Sequence, residues 1–259
     1  MEIIVISVVA GICGTGLGGL LTAFFGSRTD QMISVFLSFA GGVMTSIVLF
    51  ELIPEAEELS NTAVTVIGLF TGVVVVLILN YILDRISNTD LGKTKLHETY
   101  EDFYHENEII KRKTNMLRSG MLMFLAISLH TLPEGLALGA AGYHDVSLGF
   151  TLALIIGIHN IPEGMAIAAP LISGGLNKVK VVMLTLLAGI PTVIGAFIGV
   201  LFGGISDTAV ALSFSIAGGA MLYVVYGEIL PQTMVMSKNR IPTISSLVGI
   251  VFGFVLTKI

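Results

Sequence analysis

The chain has 259 residues, of which 54% are hydrophobic and 12% charged, with a net charge of −5. Soluble domains carry about 25% charged residues, and half of that complement cannot cover a water-facing surface. The composition therefore excludes a soluble globular protein, and the high apolar fraction excludes a disordered chain. The single cysteine excludes a disulfide scaffold, and the acidic balance argues against nucleic acid as a partner. What remains is a polytopic membrane protein.

Eight stretches of the chain are long and apolar enough for membrane-spanning helices, which need roughly 20 residues each. Their continuous apolar character and many glycines favour helices over the alternating strands of a barrel. We therefore predict an all-α membrane protein with a single transmembrane domain over 1–259 and a long loop at about 84–116. The predicted spans are 3–25, 33–53, 63–83, 117–142, 147–173, 179–203, 208–230 and 241–257.

The basic residues predict how the chain is oriented in the membrane. Twelve of the 13 Lys and Arg residues fall in odd-numbered loops, and Lys258 is the exception. Basic loops stay on the cytoplasmic side, so the odd loops are expected in the cytosol and both termini outside. The protein is thus expected in the cell membrane, with the 84–116 loop in the cytosol.

The first and last thirds of the chain are related by an internal repeat. A shift of 177 residues aligns Ala40–Met44 with Ala217–Met221, and Glu51–Pro54 with Glu228–Pro231. The shift moves the chain by five spans, an odd number, so the two copies must run in opposite directions. We predict an inverted repeat of helices 1–3 and 6–8, an arrangement typical of transporters that alternate access around a central site.

A second repeat relates spans four and five, which form the central pair of this arrangement. A shift of 29 residues aligns His130-Thr-Leu-Pro-Glu134-Gly with His159-Asn-Ile-Pro-Glu163-Gly. Adjacent spans run antiparallel, so this pair is also inverted. Both histidines fall near the middle of their spans and are therefore expected near the bilayer midplane.

Each repeated motif places a His and a Glu four residues apart, on one face of a helix. Imidazole nitrogen and carboxylate oxygen are both good ligands for divalent transition metals. A single buried His could instead be a hydrogen-bond donor, and a single Glu a proton carrier. Two aligned copies of the motif favour metal binding over these alternatives. Carboxylates are costly at membrane depth, and a divalent cation would neutralise them.

These two motifs resemble those of the fourth and fifth spans in the ZIP (Zrt/Irt-like) divalent-metal transporters, in particular the bacterial zinc-uptake-permease-like branch. The resemblance covers the whole chain, including the eight spans and the long loop after span three. It implies that the principal metal site consists of His130, Glu134, His159 and Glu163.

Two further positions matter in those family members that bind two metals. The resemblance implies that Thr131 and Asn160 lie where such members help to hold the second metal. The chain departs from that pattern, since the family often has Asn in place of Thr131. The family's glutamate before a span-six proline is here Ile190, before Pro191. We therefore expect one complete metal site, with the polar side chains of Thr131 and Asn160 beside it as what is left of a second site.

Two other groups of residues are candidates for contact with the cation. Glu51 and Glu228 are equivalent in the repeat and are expected near opposite faces, as entrance and exit waystations. The alternative is that each caps a proline-terminated helix or pairs with a basic loop residue. In the long loop, the helical spacing of His97, Glu101 and His105 suggests a weak metal site, although such charged loops are usually just solvated.

The sequence thus predicts a carrier that moves Zn²⁺ into the cytosol by alternating access, with Fe²⁺ and Mn²⁺ as further candidate substrates. We expect no enzymatic activity and no resident cofactor, since the metal is the substrate. The expected partners are divalent metal ions and the lipid bilayer, with a homodimer left open. Two rival functions are an intramembrane metal-dependent hydrolase and a carrier of protons and an organic solute that uses the same carboxylates.

Overall fold

The computed structural model describes residues 2–25, 30–86, 109–201, 206–237 and 239–258. Within these ranges all regular structure is helical, which confirms the predicted all-α class. Seven of the helices are long and apolar enough to cross a membrane. The eighth is apolar but has 16 residues. The helices are α1 Glu2–Phe25, α2 Asp30–Leu59, α3 Thr62–Ile86, α4 Ile109–His144, α5 Val146–Ser173, α6 Lys178–Leu201, α7 Asp207–Met236 and α8 Ile241–Leu256.

Helices α2 and α7 continue past the prolines at which the predicted spans end. In each helix a π-helical turn lies just before the proline, at Val48–Leu52 in α2 and at Val224–Ile229 in α7. Pro54 and Pro231 then begin a new α-helical segment, where the missing N–H of proline is not needed. The idea that Glu51 and Glu228 cap proline-terminated helices is therefore wrong.

The helices pack in four parallel pairs, which are α1 with α5, α2 with α8, α3 with α7, and α4 with α6. Glycines allow the backbones to touch, as expected where no hydrophobic force drives helices together in lipid. Gly42 lies against the carbonyl of Ser246, and Gly219 lies against the carbonyl of Leu69. These two contacts are equivalent under the shift of 177 residues, so the repeat seen in the sequence is also present in the packing.

The helices related by the repeats run in opposite directions, as the central pair α4 and α5 shows. Gly120 of α4 lies beside Leu171 near the end of α5, and Gly174 lies beside Leu117 near the start of α4, so α4 and α5 are antiparallel. Helix α1 meets α6 at Gly11, which contacts Gly189. The architecture is thus the predicted inverted repeat around a central α4–α5 pair.

The core and the outer surface are both apolar, as a bilayer environment requires. The repeat-equivalent Met44 and Met221 are fully buried among hydrophobic side chains, which agrees with a packing role. By contrast, Ile67 and Phe70 on α3 and Val251 on α8 are mostly exposed. These side chains would face lipid, where their exposure carries no penalty.

We expect Gly219→Ala to destabilise the protein, because the new methyl group would meet the backbone of Leu69, which cannot move aside. Overpacking of this kind costs about 1–3 kcal/mol. The measurement is thermal unfolding of the detergent-solubilised protein. Gly227→Ala is the matched control, since its methyl would lie 3.4 Å from the ring of Tyr223, an ordinary contact. Equal stability of the two variants would contradict the packing described for the α3–α7 pair.

Candidate metal centre

The four side chains of the repeated motifs meet in the interior of the bundle, between α4 and α5. His130 Nε2 lies 2.7 Å from Glu163 Oε1 on the facing helix and 3.9 Å from Glu134 Oε1 on its own helix. His159 Nε2 lies 3.4 Å from Glu134 Oε1. None of the four residues is more than 2% exposed. Two carboxylates and two imidazoles are therefore enclosed together, each helix supplying one of each.

The backbone of α4 orients the first imidazole. His130 Nδ1 lies 3.2 Å from the carbonyl oxygen of Ala126, one turn earlier in the helix. This contact fits a ring that donates from Nδ1 and turns Nε2 towards the centre. In metal-binding histidines the ring nitrogen that does not bind the metal commonly donates such a hydrogen bond, which fixes both the tautomer and the ring orientation.

Several polar atoms of the cluster have no hydrogen-bond partner among the described residues. They are both oxygens of Glu134, both ring nitrogens of His159 and Glu163 Oε2. A buried polar group without a partner costs about 1–3 kcal/mol, and a charged group costs more. Ligand atoms of His130, Glu134 and Glu163 lie within 4.8 Å of one another, close enough to share one ion. A divalent cation would therefore satisfy groups that the protein itself leaves unsatisfied.

Asn160 and Thr131 lie beside the cluster and are fully buried. Asn160 Nδ2 donates to the carbonyl of Ala10 over 3.0 Å, and Thr131 Oγ1 donates to the carbonyl of Ala188 over 3.3 Å. The Asn160 Oδ1 atom has no hydrogen-bond partner in the part of the chain described. The structure thus leaves one polar oxygen available here, as a remnant of a second site would.

Both of these hydrogen bonds end where a helix departs from α geometry. Ala10 lies in a π-helical turn, Val8–Cys13, and Ala188 immediately precedes a turn at Gly189 that interrupts α6. Neither irregularity was predicted from the sequence. The one signal available was the placement of Gly11 and Gly189, which lie 178 residues apart where the repeat otherwise runs at 177. One extra residue in the π turn of α1 accounts for the difference.

Glu51 lies on one side of the centre and Glu228 on another. Glu51 is partly buried, and its Oε2 atom has no hydrogen-bond partner within the described ranges. Glu228 instead accepts hydrogen bonds from Asn80 and Ser119 at the far end of the bundle. The two glutamates are therefore separated along the bundle, as the inverted repeat predicts, and have different surroundings.

The predicted loop site of His97, Glu101 and His105 lies outside the described residues. Helix α3 extends to Ile86, and α4 begins at Ile109, eight residues before the predicted start of span four.

Comparison with known proteins points to one family. Residues 86–259 match the family model described as ZIP Zinc transporter. The zinc transporter ZupT of Akkermansia muciniphila is 32% identical, and the alignment covers 100% of this chain and 96% of that protein. ZupT of Chlorobaculum parvum is 30% identical over 94% of this chain and 91% of that protein, and ZupT of Streptococcus mutans is 29% identical over 98% and 94%.

We expect Zn²⁺ to raise the melting temperature of the solubilised protein, because the predicted ligands are clustered only in the folded state. A ligand at 100 times its dissociation constant stabilises by about 2.7 kcal/mol. The shift should be much smaller in Glu163→Gln, which keeps the shape of the side chain and removes its charge. Glu57→Gln, on the exposed side of α2, is the control. An equal zinc shift in both variants would show that Glu163 is not a ligand.

Proposed function

Because the chain belongs to the ZIP zinc transporter family, we propose that it carries Zn²⁺ into the cytosol, with Fe²⁺ and Mn²⁺ as further substrates. The protein is an integral membrane protein, and the family consists of transporters and not of enzymes. The observation that carries the proposal is the enclosed cluster of unsatisfied imidazole and carboxylate groups between α4 and α5.

The proposed ligands of the transported ion are His130, Glu134, Glu163 and His159. Two carboxylates balance the charge of a divalent cation, which removes most of the cost of holding it in an apolar interior. Nitrogen and oxygen ligands suit Zn²⁺ and other borderline metals. Thiolate ligands, which select Cu(I), play no part, because the one cysteine, Cys13, is exposed. Asn160 Oδ1 and Thr131 would border the ion as the polar remnant.

Transport would occur by movement of one group of helices against the other. Helices α1, α4, α5 and α6 contact one another through glycines, including the Gly11–Gly189 contact, and so form a compact group around the proposed site. The remaining helices form the pairs α2–α8 and α3–α7. A rigid group that carries the ion and a second group with inverted symmetry are the two parts that alternating access needs.

The distribution of basic residues supports an orientation with the loop between α3 and α4 in the cytosol and both termini outside. Glu51 would then lie towards the outside and Glu228 towards the cytosol. We propose that Glu51 receives the incoming ion and passes it to the centre, since its buried Oε2 has no hydrogen-bond partner among the described residues. Glu228 would serve as the exit.

The two rival functions predict different measurements. A hydrolase would need a metal with an open coordination position and a general base, and would turn over a substrate without metal flux. Membership of a transporter family disfavours it. A carrier of protons and an organic solute would move protons with no dependence on metal.

We expect purified protein in liposomes to take up Zn²⁺, and His130→Ala and Glu163→Gln to lower the initial rate by at least about tenfold, as loss of one strong metal contact should. Uptake should also fall as the external pH is lowered, because imidazole and carboxylate must lose their protons to bind metal. Glu57→Gln is the control for loss of an acidic residue outside the centre. Persistent uptake in both site variants would refute the assignment.

Replacement of Glu51 by Ala should slow Zn²⁺ uptake without abolishing binding at the centre, since Glu51 would deliver the ion but would not hold it there. The rate of uptake and the zinc-induced shift in melting temperature are to be measured on the same preparation. A normal shift with a lowered rate is the expected result. Uptake kinetics equal to those of the unmodified protein would refute the role of Glu51.

A further inference from the structure

A polar network joins three helices at the Glu228 end of the bundle. Asn80 Nδ2 donates to Glu228 Oε1 over 3.2 Å, and Ser119 Oγ donates to Glu228 Oε2 over 3.1 Å. Both carboxylate oxygens of Glu228 thus accept a hydrogen bond from a neighbouring helix. Helix α3 supplies the first donor and α4 the second.

A positive charge is connected to this network through Asn80. The Arg118 guanidinium on α4 donates from Nη2 to Asn80 Oδ1, so the amide links the guanidinium to the carboxylate of Glu228. On α7, one turn beyond Glu228, Gln232 Nε2 donates to Ser119 Oγ. Its buried Oε1 atom has no hydrogen-bond partner within the described residues.

The inverted repeat shows how unusual this network is, because among the described residues the opposite end of the bundle has no counterpart of it. Under the repeat shifts, Arg118 corresponds to Ser147 and Asn80 to Thr257. No basic side chain is therefore placed beside Glu51 by symmetry, and Glu51 Oε2 has no hydrogen-bond partner in the described part of the chain. The two repeat-equivalent glutamates differ in that a tethered cation is linked to only one of them.

We infer that Arg118, acting through Asn80, is a positioning residue that weakens cation binding at Glu228 and so promotes release of the transported ion at that end. This inference rests on the proposed function. An ion that binds Glu228 must displace the donors from Asn80 and Ser119. It must also approach the guanidinium, which carries a charge of the same sign. Solvent screens this repulsion only weakly, because Arg118 and Glu228 are both partly buried.

The effect is on rates and affinities and not on the overall equilibrium of transport. An ion that leaves the centre meets a glutamate already occupied by hydrogen bonds, so it is held there only weakly. The same features oppose rebinding of cytosolic metal. At the Glu51 end the repeat places Ser147 and Thr257 in the positions of Arg118 and Asn80, and Glu51 Oε2 has no hydrogen-bond partner among the described residues, so capture from a dilute external solution is favoured.

The test measures inhibition of uptake by zinc placed on the cytosolic side. Right-side-out membrane vesicles are loaded with unlabelled Zn²⁺, and the initial uptake of radioactive zinc is followed. In Arg118→Gln we expect the internal zinc concentration that halves uptake to fall about tenfold, as loss of one nearby like charge predicts. In Arg118→Lys it should stay near that of the unmodified protein. The external KM should be unchanged in both.

The control is Lys113→Gln, which removes an exposed positive charge from the same helix and should leave the inhibition unchanged. A merely structural role of Arg118 would lower uptake in both Arg118 variants and leave the inhibitory concentration of internal zinc as it was. Either that outcome, or equal values for Arg118→Lys and Arg118→Gln, overturns the inference.

Two additional variants test the role of Arg118 independently. If Arg118→Gln does not fold, Asn80→Ala tests the same link with the charge retained, and an unchanged inhibitory concentration overturns the inference. Adding Glu228→Gln to the Arg118→Gln variant should abolish the tighter inhibition, because the ion then lacks its ligand. Absence of zinc uptake by the unmodified protein would refute the proposed function itself, whereas normal uptake with unaltered inhibition refutes only the role of Arg118.

Discussion

Two carboxylates and two imidazoles enclosed in an apolar helix bundle impose a constraint that the rest of the molecule has to meet. Such groups are unfavourable in a water-poor interior unless a counter-charge and hydrogen-bond partners are present. The protein supplies a few of these contacts, among them Ala126 to His130 and Glu163 to His130. It leaves Glu134 and His159 without hydrogen-bond partners among the described residues. The close glycine contacts of α1 and α6 with α5 and α4 enclose the cluster on two sides. A divalent cation held here, as proposed, would complete the balance of charge.

The sequence predicted the helices, the inverted repeat and the grouping of the four central side chains. Each of these follows from a regular spacing. A His and a Glu four residues apart must share a helix face, and two copies 29 residues apart on antiparallel spans must approach each other near the midplane. The glycine contacts follow the same logic, since Gly42 and Gly219 are repeat equivalents and each meets the equivalent backbone carbonyl. Periodic features are predictable because helix geometry converts spacing directly into position. That these side chains bind metal stays a prediction.

The irregular features were not predictable in this way. The π-helical turns at Val8–Cys13, Val48–Leu52 and Val224–Ile229 add a residue without any marked change in composition, so hydropathy does not reveal them. They nevertheless decide where Pro54 and Pro231 fit and which carbonyl Asn160 reaches. The surroundings of Glu228 were also missed, because Asn80, Ser119 and Arg118 come from segments distant in sequence. Only tertiary packing brings them to one carboxylate.

The unequal lengths of two repeat-equivalent helices have a consequence for the surrounding lipid. The apolar span of α3, Thr62–Ile82, has 21 residues and α8 has 16, so they rise about 32 Å and 24 Å respectively. A hydrocarbon layer about 30 Å thick matches the first and exceeds the second, so beside α8 the layer must thin. The lipid-facing flank at α8 is therefore shorter than the layer while that at α3 matches it, so a thicker bilayer strains the α2–α8 pair more than the α3–α7 pair.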